Sequence, residues 1–214
     1  MPQVTIDQWV QHLRQGAIGS FPTDTVPALA AYPDFADQIY TIKSRSAEKP
    51  LILMAGDNQD LWPYLAPDRN NSIHWQTMMD VYFPGALTLV LPKRDRTLVK
   101  LNPAQTETIG VRVPNHNPAR SLLRETGPLA TTSVNRSGEP ALLNMTDIRS
   151  QFPNIYTLSD LALKELGIIE SAISTTIPPL PSTVIEWIGN GWTILRQGAV
   201  VFSDAEKHTY RIKD

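Results

Sequence analysis

Polar and charged side chains gather where apolar runs of the sequence end: Thr23-Asp24-Thr25, Lys43-Ser44-Arg45, Arg112, the run Thr131 to Asn135, Ser182-Thr183, and Arg196. Open α/β sheets place their ligand crevices at strand ends. Hydroxyls, amides and cations assembled there would hold a polar ligand by hydrogen bonds and charge. The chain contains no G-x-x-x-x-G-K-[ST], no G-x-G-x-x-G and no G-x-S-x-G, so neither a glycine-rich phosphate cradle nor a nucleophile elbow is written in it. Each cluster also has a purely structural reading. Thr23 to Thr25 are turn formers whose short side chains bond local backbone. Lys43 and Arg45 suit a helix C-terminus, Arg112 suits a solvated strand face, and TTSVNRSG suits a loop. Only their conjunction at strand ends separates a site from a set of turns and caps.

The elements that must position these groups follow from periodicity. Thr5 and Gln8 form a capping-box pattern, with Ile6, Trp9, Val10 and Leu13 on one helical face and Gly16 as the stop. Ala17 to Phe21 reads as a strand, Phe35-Ile39-Ile42 as a helix stripe, Leu51 to Met54 as a buried strand, Ser72 to Tyr82 as a helix, and Leu87 to Leu91 as a strand. In TIGVRVP, Ile109, Val111 and Val113 alternate inward, which turns Arg112 to the opposite face. Asn117-Pro118 opens a helix in N-cap and first-turn order, ending near Gly127. Leu129 to Thr132 is a strand, and Ser182 to Trp187 pairs with Trp192 to Gln197 across Gly189-Asn190-Gly191. Three prolines make Ser174 to Pro181 a stiff surface loop. The expected fold is α/β, a mixed sheet with flanking helices.

Composition removes several function classes. At 214 residues with 42% hydrophobic content the chain supports one sizeable core, and one domain is expected. With 19 basic and 21 acidic residues the net charge is -2, so no overall basic field attracts nucleic acid or a membrane surface. There is no cysteine, and His12, His74, His116 and His208 lack metal-ligand spacing, which argues against a metal held by protein alone. No apolar run approaches the roughly 20 residues that span a bilayer, and a cytoplasmic protein without a membrane partner is expected.

Seven segments, in order, resemble a known family: FPTDTV, IKSRSAEKPLIL, FPGALTLVL, VRVPNH, SVNRSGEP, STVIEW and ILRQGAV. They are similar to the YrdC-like threonylcarbamoyl-AMP synthases, also called TsaC, from about Phe21 to Val200. The resemblance implies an open, twisted YrdC-like sheet with a concave crevice. It implies a catalytic domain over residues 1–202, a C-terminal tail over 203–214, and the single-domain form. It also implies a reaction: L-threonine, bicarbonate and ATP give threonylcarbamoyl-adenylate and pyrophosphate for a downstream tRNA-modifying transferase complex. Lys43 and Arg45 would then be catalytic. Together with Ser133, Asn135 and Arg196 they would bind the nucleotide, while Thr23, Arg112, Thr131 and Ser182 would bind threonine. Arg112 suits the carboxylate because a guanidinium grips it through two parallel bonds. Mg2+ would arrive with ATP, largely bound by water and phosphate, and tRNA contact would be weak or transient.

The departures fall at the pocket walls. Pro27-Ala28-Leu29 stands where the family usually has tyrosine-glycine-leucine, Ser46 replaces a common proline, and SVN replaces serine-alanine-asparagine. Two alternatives follow: a non-catalytic RNA-binding YrdC-like module, disfavoured by acidic charge and few aromatics near the cations, and a nucleotide-binding paralogue with another substrate.

Overall fold

The computed structural model describes residues 3–68, 70–94, 98–104, 106–168 and 179–213. A short strand β1 (Gln3–Val4) leads into α1 (Ile6–Arg14), whose cap Thr5 accepts the Gln8 N–H while the Gln8 side chain accepts the Thr5 N–H. The capping box is therefore complete. Trp9, Val10 and Leu13 are buried on its inner face, and Gly16, at φ +94°, ends it in a conformation glycine adopts freely. The strands β2 (Gly19–Phe21) and β3 (Ala28–Ala31) pair antiparallel on either side of the Thr23 turn. A 3-10 turn at Pro33–Phe35 precedes α2 (Asp37–Lys43), so Phe35 lies outside the helix whose stripe it was expected to join. Pro33 sets that separate turn, because its fixed φ suits a helix start.

Then follow β4 (Ile52–Met54), α3 (Ser72–Tyr82), β5 (Leu87–Pro92) and β6 (Thr108–Arg112). The helix α4 (Asn117–Thr126) is capped by His116, not by Asn117: the His116 Nδ1 accepts the Ala119 N–H at 3.2 Å. Asn117 and Pro118 thus occupy the first helical positions, where a missing N–H costs nothing. The chain continues through β7 (Leu129–Ser133), α5 (Met145–Gln151), β8 (Tyr156–Leu158) and α6 (Asp160–Glu165). It closes with β9 (Thr183–Trp187), β10 (Trp192–Arg196), α7 (Asp204–Tyr210) and β11 (Ile212–Lys213). Most of the proline-rich run expected at Ser174 to Pro181 lies outside the described residues.

Among the described residues the strands form one mixed sheet of 11, ordered β1-β8-β2-β3-β7-β4-β6-β5-β9-β10-β11. Within the expected tail, residues 203–213 carry α7 and an edge strand, since β11 pairs parallel with β10 through Trp192↔Ile212. Trp9, Phe21, Trp75 and Trp192 are among the largest fully buried side chains. Ile109, Val111 and Ile185 are buried as well, while their alternate neighbours Gly110, Arg112, Val184 and Glu186 line a crevice on the other face. A slip of one residue in register would exchange the two sets.

Candidate active site

The crevice encloses about 400 Å³ and rests on alternate residues of neighbouring strands β7, β4, β6, β5 and β9. Gly110 leaves its floor flat: a Cβ there would stand 2.8 Å from the Ile52 side chain. Of the residues singled out in the sequence, Arg45, Arg112, Thr131, Ser133, Ser182 and Arg196 line this space. Five segments far apart in the chain thus converge on one cavity.

Arg112 is the most enclosed of the three cations, 3% exposed. Its Nε donates to the Gly85 carbonyl at 3.0 Å, Nη1 to Thr25 Oγ1 at 2.9 Å and Nη2 to Asp24 Oδ1 at 2.6 Å. It is therefore no solvated surface cation. Removing one partner of a buried ion pair costs about 3–5 kcal/mol, because the other charge is left uncompensated. Burial pushes the proton affinity of this guanidinium down, and Asp24 pushes it back. Asp24 is also the one acid that acts on the cap His116, offsetting part of the effect of burial there.

Thr23 stands behind this pair. Its hydroxyl donates to the Val26 carbonyl at 2.8 Å and accepts the Thr25 N–H at 3.2 Å, so it shapes the turn, while Thr25 is the residue that lines the crevice. Across the floor the Thr131 hydroxyl donates to the Ile52 carbonyl at 3.4 Å. Ser182 Oγ lies 2.8 Å from Thr88 Oγ1, and Arg196 Nη2 donates to the Ser182 carbonyl at 2.8 Å.

Lys43 and Asn135 form a supporting layer under Ser133. Lys43 is buried at the end of α2, and its Nζ donates to the Ser133 carbonyl and, at 2.9 Å, to Asn135 Oδ1. The same Oδ1 accepts the Ser133 hydroxyl at 2.6 Å, while the Asn135 amide nitrogen is spent on the Arg136 and Glu139 carbonyls. Burial first, and then the charge of Arg45, lower the Lys43 pKa from 10.5 to about 7.

Arg45 donates Nε to the Lys49 carbonyl at 2.7 Å and Nη2 to the Pro50 carbonyl at 3.0 Å. Burial lowers its pKa, and Arg196 adds to that; Arg196 is itself lowered by burial and also acts on Arg112. Arg196 thus repels both Arg45 and Arg112 around one cavity, and among the described residues only Arg112 has a carboxylate on it. Such a field favours a ligand with several negative charges.

Sequence reasoning passed over Thr88, Thr106, Thr108 and Glu186 and gave no role to Thr25, all of which line the crevice, and it left Asp24 without a role. Thr25 was within reach, because it belongs to the same motif as Thr23. Glu186 supplies the one carboxylate in the lining among the described residues, and no group of three or more His, Asp or Glu gathers elsewhere among them. No described helix is long and apolar enough to cross a membrane.

Known proteins resemble this chain over most of its length. A threonylcarbamoyl-AMP synthase of Bacillus subtilis (strain 168) is 37% identical over 133 residues, 60% of this chain and 38% of that protein. One from Chromohalobacter salexigens is 34% identical over 158 residues, 72% of this chain and 83% of its own length. The solved structure of P. abyssi Sua5 complexed with L-threonine superposes with a TM-score of 0.78 at 26% identity, covering 97% of this chain and 58% of that one. E. coli YciO shares the fold, with a TM-score of 0.73 at 22% identity over 92% of this chain and 90% of its own. The chain therefore spans less than two thirds of the Bacillus and P. abyssi proteins it matches. A family model described as telomere recombination, that of Sua5, YciO and YrdC, matches residues 11–198, and the chain belongs to that family.

Proposed function

We propose that the chain makes threonylcarbamoyl-adenylate from L-threonine, bicarbonate and ATP, a nucleotidyl transfer that releases pyrophosphate. The observation that carries this reading is the unequal charge of the cations lining the crevice. Arg112 is neutralised and fixed by Asp24, Thr25 and Gly85, whereas Arg45 and Arg196 have no carboxylate partner among the described residues. A zwitterionic amino acid suits the neutralised cation and a triphosphate the other two. Threonine puts its carboxylate on Arg112, with Thr131 and the Ser182–Thr88 hydroxyl pair beside it. Ser133, held from behind by Lys43 and Asn135, meets the nucleotide, and Arg45 and Arg196 take the phosphates.

The threonine ammonium releases a proton to solvent, and its nitrogen bonds to the carbon of bicarbonate with loss of water, giving a carbamate. A carbamate oxygen attacks the α-phosphorus, the bond to the bridging oxygen breaks, and that oxygen leaves on pyrophosphate. Positioning and charge stabilisation supply most of such catalysis. Arg45, in the crevice lining, would meet the negative charge that grows on the leaving group, and Lys43 would add its charge from behind Ser133. The described residues do not build a cage for a hard cation, and Mg2+ would enter on the triphosphate. The product passes to a tRNA-modifying transferase. Pyrophosphate release measured with ATP and bicarbonate, comparing threonine, serine and no amino acid, tests the reading. Threonine-dependent release is expected; release indifferent to the amino acid would overturn it, and tight, sequence-selective tRNA binding without turnover would favour an RNA-binding module.

A further inference from the structure

Three of the five N–H groups a guanidinium carries are committed on Arg112 before any ligand arrives: one to Gly85 O, one to Thr25 Oγ1 and one to Asp24 Oδ1. One N–H on each terminal nitrogen is left for a ligand. Asp24 is not part of the crevice lining and its side chain is 14% exposed, so it acts on the cavity through Arg112 alone. The turn that carries it is held in place by Thr23, whose hydroxyl bonds Val26 O and the Thr25 N–H. Arg45 and Arg196, by contrast, donate to carbonyl and hydroxyl oxygens and have no ion pair among the described residues. The same cavity therefore holds one cancelled cation and two uncancelled ones.

We propose that Asp24 is a positioning and selectivity residue, which fixes the Arg112 fork and cancels its charge so that Arg112 accepts an amino-acid carboxylate and rejects phosphate. This rests on the reading of Arg112 given above. A bare buried guanidinium binds phosphate as readily as carboxylate, because its planar fork fits both. With a carboxylate already on it, a doubly charged phosphate meets repulsion. A zwitterion carries its own ammonium beside its carboxylate, so it meets much less. Without Asp24, inorganic phosphate or pyrophosphate would occupy Arg112 and compete with threonine.

The test compares wild type with Asp24→Asn and Asp24→Glu, following inorganic phosphate binding by calorimetry and the KM values for threonine and ATP. In Asp24→Asn the threonine KM should rise about tenfold, as expected when a fork loses its alignment, with the ATP KM little changed. A phosphate-binding step absent from wild type should appear, compete with threonine, and vanish when Arg112→Ala is added. Asp24→Glu, which keeps the charge, should not bind the extra phosphate. Thr25→Val should raise the threonine KM without the phosphate step, because it loosens the fork and leaves the charge cancelled. A folded Asp24→Asn with no new phosphate binding, or both KM values rising together with a lower melting temperature, would make Asp24 merely structural and overturn the proposal. If Asp24→Asn does not fold, Asp24→Ser is titrated in its place, and an unchanged threonine KM in folded Thr25→Val overturns the fork. If wild type shows no threonine-dependent pyrophosphate release, the enzymatic reading fails while the phosphate titration still decides the role of Asp24.

Discussion

Lys43 ends α2 with its ammonium turned inward onto the Ser133 carbonyl and Asn135 Oδ1, two neutral acceptors and no carboxylate. Burial and Arg45 hold its pKa near 7, against 10.5 for the free side chain. Between those values the unfolded chain binds the proton and the folded one does not, so this residue makes stability rise with pH from about 7 to about 10.5. Bound phosphates would favour the charged form and return the proton. ATP binding at pH 8 should therefore take up protons, seen as binding enthalpies that differ between buffers of different ionisation heat. Equal enthalpies would mean that Lys43 does not sense the nucleotide. Lys43→Ala should abolish the uptake and lower adenylate formation by about 10²-fold or more, with circular dichroism unchanged. Arg112→Ala should weaken threonine binding by roughly 2–3 kcal/mol and leave ATP nearly unaffected, whereas equal losses would reassign Arg112 to the phosphates. The sequence placed Arg112 off the apolar alternation of β6, but alternation gives parity only. It does not say that the second face is covered, nor that Asp24, 88 positions away in the chain, closes on the guanidinium.

Elements decide where these side chains point. The turn between α3 and β5 brings Gly85 so close to Tyr82 that a Cβ would stand 2.3 Å from its carbonyl oxygen. The same glycine receives the Arg112 Nε and donates its own N–H to Val113 O at 2.8 Å. Gly85→Ala must displace the turn. Overpacking of that kind costs about 1–3 kcal/mol, so the denaturant midpoint should fall and the threonine KM rise more than the ATP KM. Equal KM values with a lower midpoint would confine the role of Gly85 to packing. The long periodic elements were legible: α1 with its capping box, and α3 at Ser72–Tyr82. Strand β3 was not, because Ala28–Ala31 neither alternates nor carries β-branched side chains, and only its neighbours β2 and β7 make it a strand.

At the scale of the molecule, the sheet extends past the crevice to an edge the sequence barely announced. Ser203 and Glu206 do form a capping box for α7, a readable signal, but a strand of two residues, Ile212–Lys213, has no periodicity to read. The segment around it docks through long-range contacts. Trp192 N donates to Arg211 O at 3.0 Å, Tyr82 OH donates to Glu206 at 2.8 Å, and the rings of Phe202 and Tyr210 meet Tyr82 edge-on. Gly191 permits this docking, since a Cβ there would lie 2.5 Å from Arg211 O. These contacts hold the Trp192 end of β10, whereas Arg196 reaches the crevice from its other end. Removal of residues 204–214 should therefore lower the thermal midpoint by several degrees, since each kcal/mol shifts a chain of this size by about 2–4 °C. The KM values for threonine and ATP should stay within about twofold of wild type, because a few tenths of a kcal/mol is all that distant, uncoupled sites exchange. A several-fold rise in the ATP KM alone would show instead that the edge strand sets the position of Arg196, and that nucleotide binding in the crevice depends on the whole sheet.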